Sequence, residues 1–324
     1  MREKTMNREH PPIKIGISSC LLGEKVRYDG GHQHDRLITD LLGRFLEFIP
    51  VCPEVECGLG TPREAMHLVG NPDDPRLVTI KTGIDHTRRI REWAVRKVGD
   101  LEKEGLHGFI FKSKSPSSGM ERVKVYGHGR TVHHNGVGIF ARAFMEHFPL
   151  LPVEEDGRLH DSALRENFIE AIFACRRWRE LRAGPKRLGR LVDFHTDHKL
   201  QVMAHSVSHY REMGKLVARG RELPIDDLLD SYEKLLMEAL RLKPTVKKHV
   251  NVLQHMAGYF KKQLTAAEKQ ELQEIIEQYR RELVPLIVPV TLINHYVRKY
   301  RADYLARQHY LSPHPLELKL RNHA

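Results

Sequence analysis

At 324 residues, with 40% hydrophobic and 29% charged side chains, the chain has the length of two ordinary domains and the balance of a soluble globular protein. Its apolar runs are too short for a membrane span: the longest, Leu283 to Ile293, carries two prolines and falls well below the ~20 residues a bilayer requires. A net charge of +11 points to an anionic partner, most often nucleic acid, although excess lysine and arginine also serve simply to solvate helical faces.

The charge is unevenly placed. Residues 157–324 hold 30 Lys and Arg against 20 Asp and Glu, whereas residues 1–156 hold 23 against 22. The opening stretch MREKTMNREHPP has no apolar signal-peptide core, so a reducing cytoplasm is the expected location. There the four cysteines, Cys20, Cys52, Cys57 and Cys175, speak for metal or redox chemistry more than for disulfides, with buried apolar filling as the competing reading. Cys175, between Ala174 and Arg176 in a helical pattern, suits filling best.

In chain order, Ile13–Ile17 reads as a first strand, with Cys20 in its exit loop and the polar turn Arg27 to His32 after it. Residues 37–48 have helical spacing, and the apolar run ending at Val51 makes a second strand. Val51 to Glu64 then gathers two thiols, three carboxylates and paired glycines and prolines, a segment suited to a loop that holds something. Leu77–Gly83 reads as a strand, a helix capped around Asp85-His86-Thr87 runs to Glu104, and Gly108–Phe111 is a third main strand leading into Lys112-Ser-Lys-Ser-Pro-Ser-Ser-Gly119. Met120–Tyr126 alternates as a strand. Residues 127–136 read as a polar loop, 137–148 as a helix, and Glu154–Gly157 as an acidic turn closing the domain. Strands alternating with helices imply a doubly wound, Rossmann-like α/β domain over 1–157, with its site at the carboxyl edge of the sheet.

Helical runs then dominate at 161–182, 187–218, 225–242, 246–262, 265–282 and 289–307, broken at Gly184-Pro185 and at Pro224, Pro244 and Pro285. Residues 158–324 are therefore expected to be all-α. Thr265 and Glu268 form a capping-box pattern.

Three thiolates from separate loops can hold zinc or an iron–sulfur cluster. The close Cys-x2-Cys pairs of structural zinc sites are missing, and a cubane on three cysteines leaves one iron open to a soft donor. Ser19-Cys-Leu-Leu-Gly23 with Val26-Arg-Tyr-Asp-Gly-Gly31, Cys52-Pro-Glu-Val55 with Pro62-Arg63, and Lys112-Ser-Lys-Ser-Pro-Ser117 together resemble the thiouracil desulfidase (TudS) family over residues 13–155. The remainder resembles the YbgA-type helical domain, and the fused form is similar to RudS-type desulfidases of 4-thiouridine in tRNA.

The resemblance implies a [4Fe-4S] cluster on three cysteines whose fourth iron takes the thiocarbonyl sulfur. Cys20 and Cys52 match two ligands. Where relatives commonly read Ser-Pro-Ser-Cys-Gly, this chain has Ser118, and Cys57 is the expected replacement ligand, with a site that holds no cluster as the rival. Glu54 is the expected acid/base and Ser115 the expected catalytic hydroxyl; a structural turn is the competing role for the serine. Arg27, Asp29, Lys112, Ser117 and Ser118 are expected substrate-binding residues, although Arg27 and Asp29 also suit a local ion pair. The expected partner is tRNA, held by basic residues such as Arg176, Arg177, Lys186, Lys247, Lys261 and Lys262 with Tyr259, Phe260, Tyr296 and Tyr300 interleaved, or a small thiopyrimidine. Aromatics at helical spacing suit a core equally well. A non-catalytic RNA-binding protein is the reading from another class.

Overall fold

A computed structural model describes residues 12–129, 131–318 and 320–322; the opening stretch discussed above lies outside them. The chain groups into two compact units, Met1–Asp161 and Ser162–Ala324. The first is α/β and the second all-helical, as the alternation of patterns implies.

In the first unit the strands are β1 (Ile13–Ser18), β2 (Leu46–Val51), β3 (Met66–Asn71), β4 (Asp74–Thr79), β5 (Gly108–Phe111), β6 (Val123–Tyr126), β7 (Val132–Gly136) and β8 (Val153–Glu155). Its helices are α1 (Pro53–Glu56), α2 (Thr87–Glu104) and α3 (Ile139–His147). One sheet is parallel, in the order β2-β1-β5-β8. Its central strands β1 and β5 are covered on both faces, as the middle of a parallel sheet requires: Ile15, Ile17, Phe109, Ile110 and Phe111 are fully buried. Rings of Phe109, Phe111, Phe140 and Phe144 pack with centroids 4.3–6.2 Å apart and tie α3 to β5. The order reverses between β1 and β5, so the exits of β1, β2 and β5 share the carboxyl edge at a topological switch point.

A second, mixed sheet runs β4-β3-β6-β7. It holds most departures from the sequence pattern. β3 went unrecognised because His67, Gly70 and Asn71 break the apolar alternation, and β7 fell in a stretch read as loop because Val132–Gly136 is polar and mostly exposed. Residues 37–48 form no α-helix: a π-helical turn at Leu37–Leu41 and a 3-10 turn at Leu42–Arg44 lead directly into β2. The acidic turn is also corrected. Glu154, Glu155 and Asp156 are buried at the end of β8, and each has a partner: Arg158, the Met120 amide and Lys112 respectively.

The second unit comprises α4 (Ser162–Ala183), α5 (Leu188–His205), α6 (Val207–Ala218), α7 (Ile225–Arg241), α8 (Val246–Tyr259), α9 (Ala266–Arg280), α10 (Ile287–Lys299) and a short α11 (Asp303–Ala306). The expected single helix over 187–218 is two, because Ser206 adopts an extended backbone and caps α6 through its hydroxyl. Leu200, Met203, Leu253, Met256, Phe260, Ile276, Ile293 and Tyr296 share one core. Trp178 stacks on Tyr232 at 5.2 Å beside Phe194. Cys175 is buried in α4, as filling requires.

Candidate active site

The exits of β1, β2 and β5 enclose a cavity of about 400 Å³. Its wall includes Cys20, Arg27, Cys52, Glu54, Arg63, Lys112, Ser115 and Ser118. Seven of the ten expected site residues thus line one space; Asp29, Cys57 and Ser117 do not.

Cys20 lies in the 3-10 turn Ser19–Leu22 that ends β1, and Cys52 is the N-cap residue of α1, whose first position is Pro53. Both are buried. Burial pushes the Cys20 thiol up to about 11, with Lys112 pulling against it. Burial and the neighbouring Glu54 push Cys52 up to about 12. Thiols in this state are poor nucleophiles, and only a metal or a strong positive charge makes them thiolates.

Glu54 stands at the centre. Its Oε1 accepts from Ser117 Oγ at 2.5 Å, and its Oε2 lies 3.5 Å from Cys52 Sγ and 3.7 Å from Arg63 Nη2. Ser117 is fully buried and connects onward, its Oγ 3.0 Å from Ser115 Oγ. Ser115 also takes the turn role weighed for it, accepting from the amides of Ser117 at 3.3 Å and Ser118 at 3.1 Å. A hydroxyl on the cavity wall is thereby linked through a buried hydroxyl to a carboxylate.

Lys112 is held from behind. Its Nζ donates to Asp156 Oδ2 at 2.7 Å, while Asp156 Oδ1 accepts the Ser113 amide at 2.7 Å. Burial would raise the Asp156 carboxyl, but Lys112 and Ser113 outweigh it and keep it below the usual range. The Lys112 amide donates to Ser18 Oγ at 2.9 Å, which joins the ends of β1 and β5. The sequence reading missed Asp156, a carboxylate directly after the short strand β8, because Glu154 and Glu155 before it make the segment read as an acidic turn. Arg27 lines the cavity with Asp29 outside it, 3.7 Å away, so Asp29 serves the local pair and the Gly31 amide.

Cys57 caps the C-terminal end of α1, half-buried, with its Sγ donating to the Glu54 carbonyl at 3.2 Å. The trio expected to grip a cluster is therefore not gathered on one wall: Cys20, Cys52 and Ser118 are. The donor set still fits a soft-metal group in part. Two buried thiols open on the cavity, and Cys57 is the remaining thiol of the first 161 residues.

In the helical unit the expected basic band is partly internal. Arg177 donates to His198 Nε2 at 2.9 Å and to the Pro313 carbonyl at 3.0 Å, and Arg182 and Lys186 pair with Asp230 and Asp226. Phe260 and Tyr296 belong to the core, and Tyr300 bonds Glu268. Lys243, Lys247, Lys261, Lys262, Arg298 and Arg301 remain exposed, as does Tyr259. Among the described residues no helix is long and apolar enough to cross a membrane.

Comparison with known proteins follows this division. Residues 15–156 match the family described as 2-thiouracil desulfurase, and residues 199–315 match a protein family of unknown function, DUF1722. The uncharacterized protein YbgA of Escherichia coli K12 is 33% identical over 152 residues, covering 47% of this chain and 90% of YbgA. The uncharacterized protein YbbK of Bacillus subtilis 168 is 30% identical over 110 residues, covering 32% of this chain and 72% of YbbK. A solved [4Fe-4S]-dependent thiouracil desulfidase, TudS, is 29% identical over 47% of this chain and 97% of its own length, with a TM-score of 0.38. The chain belongs to the 2-thiouracil desulfurase family through its α/β unit and to the DUF1722 family of YbgA through its helical one.

Proposed function

We propose that the α/β unit removes sulfur from a thiolated uracil, most readily 4-thiouridine in tRNA, with a [4Fe-4S] cluster held by Cys20, Cys52 and Cys57. The observation that carries this reading is the convergence of two buried thiols, a carboxylate with its hydroxyl relay and a held lysine on one cavity. When bound, the cluster supplies a Lewis-acidic iron with affinity for thiocarbonyl sulfur.

The reaction consumes one water and exchanges C=S for C=O, releasing hydrogen sulfide. The water must lose a proton as it adds to the ring carbon. Ser115 passes that proton through Ser117 to Glu54, the one carboxylate on the cavity wall. Glu54 then returns it toward the departing sulfur, and the adduct's hydroxyl proton follows as C=O forms, so that both protons of the water leave on hydrogen sulfide. Lys112, steadied by Asp156, offsets negative charge that develops on the ring or the sulfur. Arg27 and Ser118 bind polar edges of the pyrimidine from the cavity wall. The exposed cations of the helical unit supply phosphate contacts for the RNA.

The reading is tested by incubating anaerobically reconstituted protein with free thiouracil and with 4-thiouridine-containing tRNA in parallel, following sulfide release. Sulfide from the tRNA at the higher kcat/KM supports the reading as stated. Sulfide from the free base alone would reassign the substrate, and none from either would reject the activity.

A further inference from the structure

The helical unit holds a second cavity, of about 380 Å³, whose polar wall has no part in the chemistry above. Glu166 and Glu170 stand one turn apart on α4, both buried, and both line it with Asn167. Arg321 spans the two carboxylates, Nε to Glu166 at 3.0 Å and Nη2 to Glu170 at 2.6 Å. His205 meets Glu170 Oε2 through Nε2 at 3.2 Å and the Leu242 carbonyl through Nδ1 at 2.8 Å. Both ring nitrogens of His205 thus face oxygen atoms. Arg321 already bridges both carboxylates, and Glu170 is held by His205 as well.

Two acceptors beside the carboxylates lack a donor. His314, 94% buried by its 6% exposure, comes within 4.8 Å of both carboxylates. Its Nδ1 lies 3.1 Å from the Pro315 carbonyl and so carries the proton, which leaves Nε2 a bare acceptor, buried and without a hydrogen-bond partner. Asn167 repeats the pattern: Nδ2 donates to the Leu240 carbonyl at 3.1 Å, and Oδ1 is buried without a partner. A buried acceptor left without a donor is destabilising, and a bound donor relieves it.

Charge and shape then select the ligand. A divalent cation would have to share these carboxylates with the buried Arg321 guanidinium that already bridges them. An anion would meet acceptors. A neutral, flat molecule with several N–H groups on one edge satisfies both, because the remaining walls include Pro244, Val246, Tyr279 and Leu286. Among the common bases only guanine places a ring N–H beside an amino group; uracil has one ring N–H, and adenine and cytosine have an amino group with no adjacent ring N–H. Lys243 on the same wall is placed to meet a phosphate.

We propose that this cavity is a nucleobase site that takes the N1–H and N2-amino edge of guanine against Glu166, Glu170 and the bare Asn167 Oδ1 on its wall, with His314 beside the carboxylates. The same chemistry is offered by free GMP and by an unpaired guanine in RNA; only the second source rests on the RNA reading above.

The test is direct binding to the full-length protein of GMP, IMP, AMP, CMP and UMP, and of a short single-stranded RNA carrying one guanine or one inosine. Inosine lacks only the 2-amino group. Guanine should bind about tenfold or more tighter than inosine, the scale of a lost paired contact to a base edge. Glu166→Gln should erase that preference. Val284→Trp, which fills the cavity from a loop and leaves the ion pairs intact, should abolish binding even where Glu166→Gln proves unstable. Preference seen in the RNA but not with mononucleotides assigns the source to RNA. Equal binding of guanine and inosine in both formats, no binding in either, or wild-type binding by Val284→Trp would overturn the proposal. Sulfide release measured on the same preparation reports the α/β site independently.

Discussion

Glu54 joins three parts of the site, reaching Ser117, Cys52 and Arg63. Its replacement by Gln keeps the shape and removes the proton acceptor, so kcat for sulfide release should fall by about 10²–10⁴-fold while iron content is unchanged. A fall in iron content instead would mean that Glu54 holds the metal site together. The third ligand can be settled by a pair of variants. Cys57→Ala should lose most iron and acid-labile sulfide after reconstitution. Adding Ser118→Cys to it should restore them, because Ser118 already shares the cavity wall with Cys20 and Cys52. Full iron in Cys57→Ala would exclude Cys57 as a ligand. Cys20, Cys52 and Glu54 were legible in the sequence because each follows a strand with its own turn signal. Asp156 was not, since a charged residue beside two other acids reads as solvated until the half-buried Lys112 opposite it is seen.

Elements hold this chemistry in place through close backbone contact. The start of α3 is clasped to the serine loop, with Gly138 donating to the Gly119 carbonyl at 2.8 Å and Phe140 to that of Ser117 at 2.9 Å. A Cβ at Gly138 would stand 2.5 Å from the Ser117 carbonyl carbon, backbone that has no room to yield. Gly138→Ala should therefore cost about 1–3 kcal/mol and slow sulfide release by moving Ser117 away from Glu54, seen as a lower Tm together with a lower kcat. In the helical unit the buried Glu166 should leave a mark on stability. Burial pushes its carboxyl up to about 7 against the opposing pull of Arg321. Its protonated form then favours the folded state, a contribution complete below the usual carboxylate range and lost as pH rises through 7. About 3 kcal/mol should disappear between pH 5 and pH 8 in denaturant melts, and Glu166→Gln should flatten that decline. Glu170 does not interfere in this window, because Arg321 and His205 overcome burial and hold it well below the usual range. Helices with strong periodicity and caps, such as α9 behind its Thr265–Glu268 capping box, were readable from the sequence. The polar strand β7 and the π-helical turn before β2 were not, since pairing partners and not local pattern decide them.

Across the whole chain, charge and chemistry are divided. The thiols that line a cavity lie in the first unit, and the basic excess lies in the second. The fold class of each half followed from period alone, but the use of the basic half did not. Charge composition cannot separate cations that pair internally, such as Arg182 with Asp230, from those left facing water. If the exposed ones hold RNA, tRNA affinity should fall steeply with salt, and Lys261→Ala with Lys262→Ala should weaken binding and lower the log–log salt slope by about 1–2. A slope unchanged by both substitutions would place the RNA elsewhere. The central claim concerns the cavity at the carboxyl edge of the parallel sheet, and sulfide release from 4-thiouridine-containing tRNA under anaerobic conditions tests it most directly. Reconstituted wild-type protein should release one sulfide per thiolated base, and Cys52→Ala none; sulfide from Cys52→Ala at the wild-type rate would contradict the account.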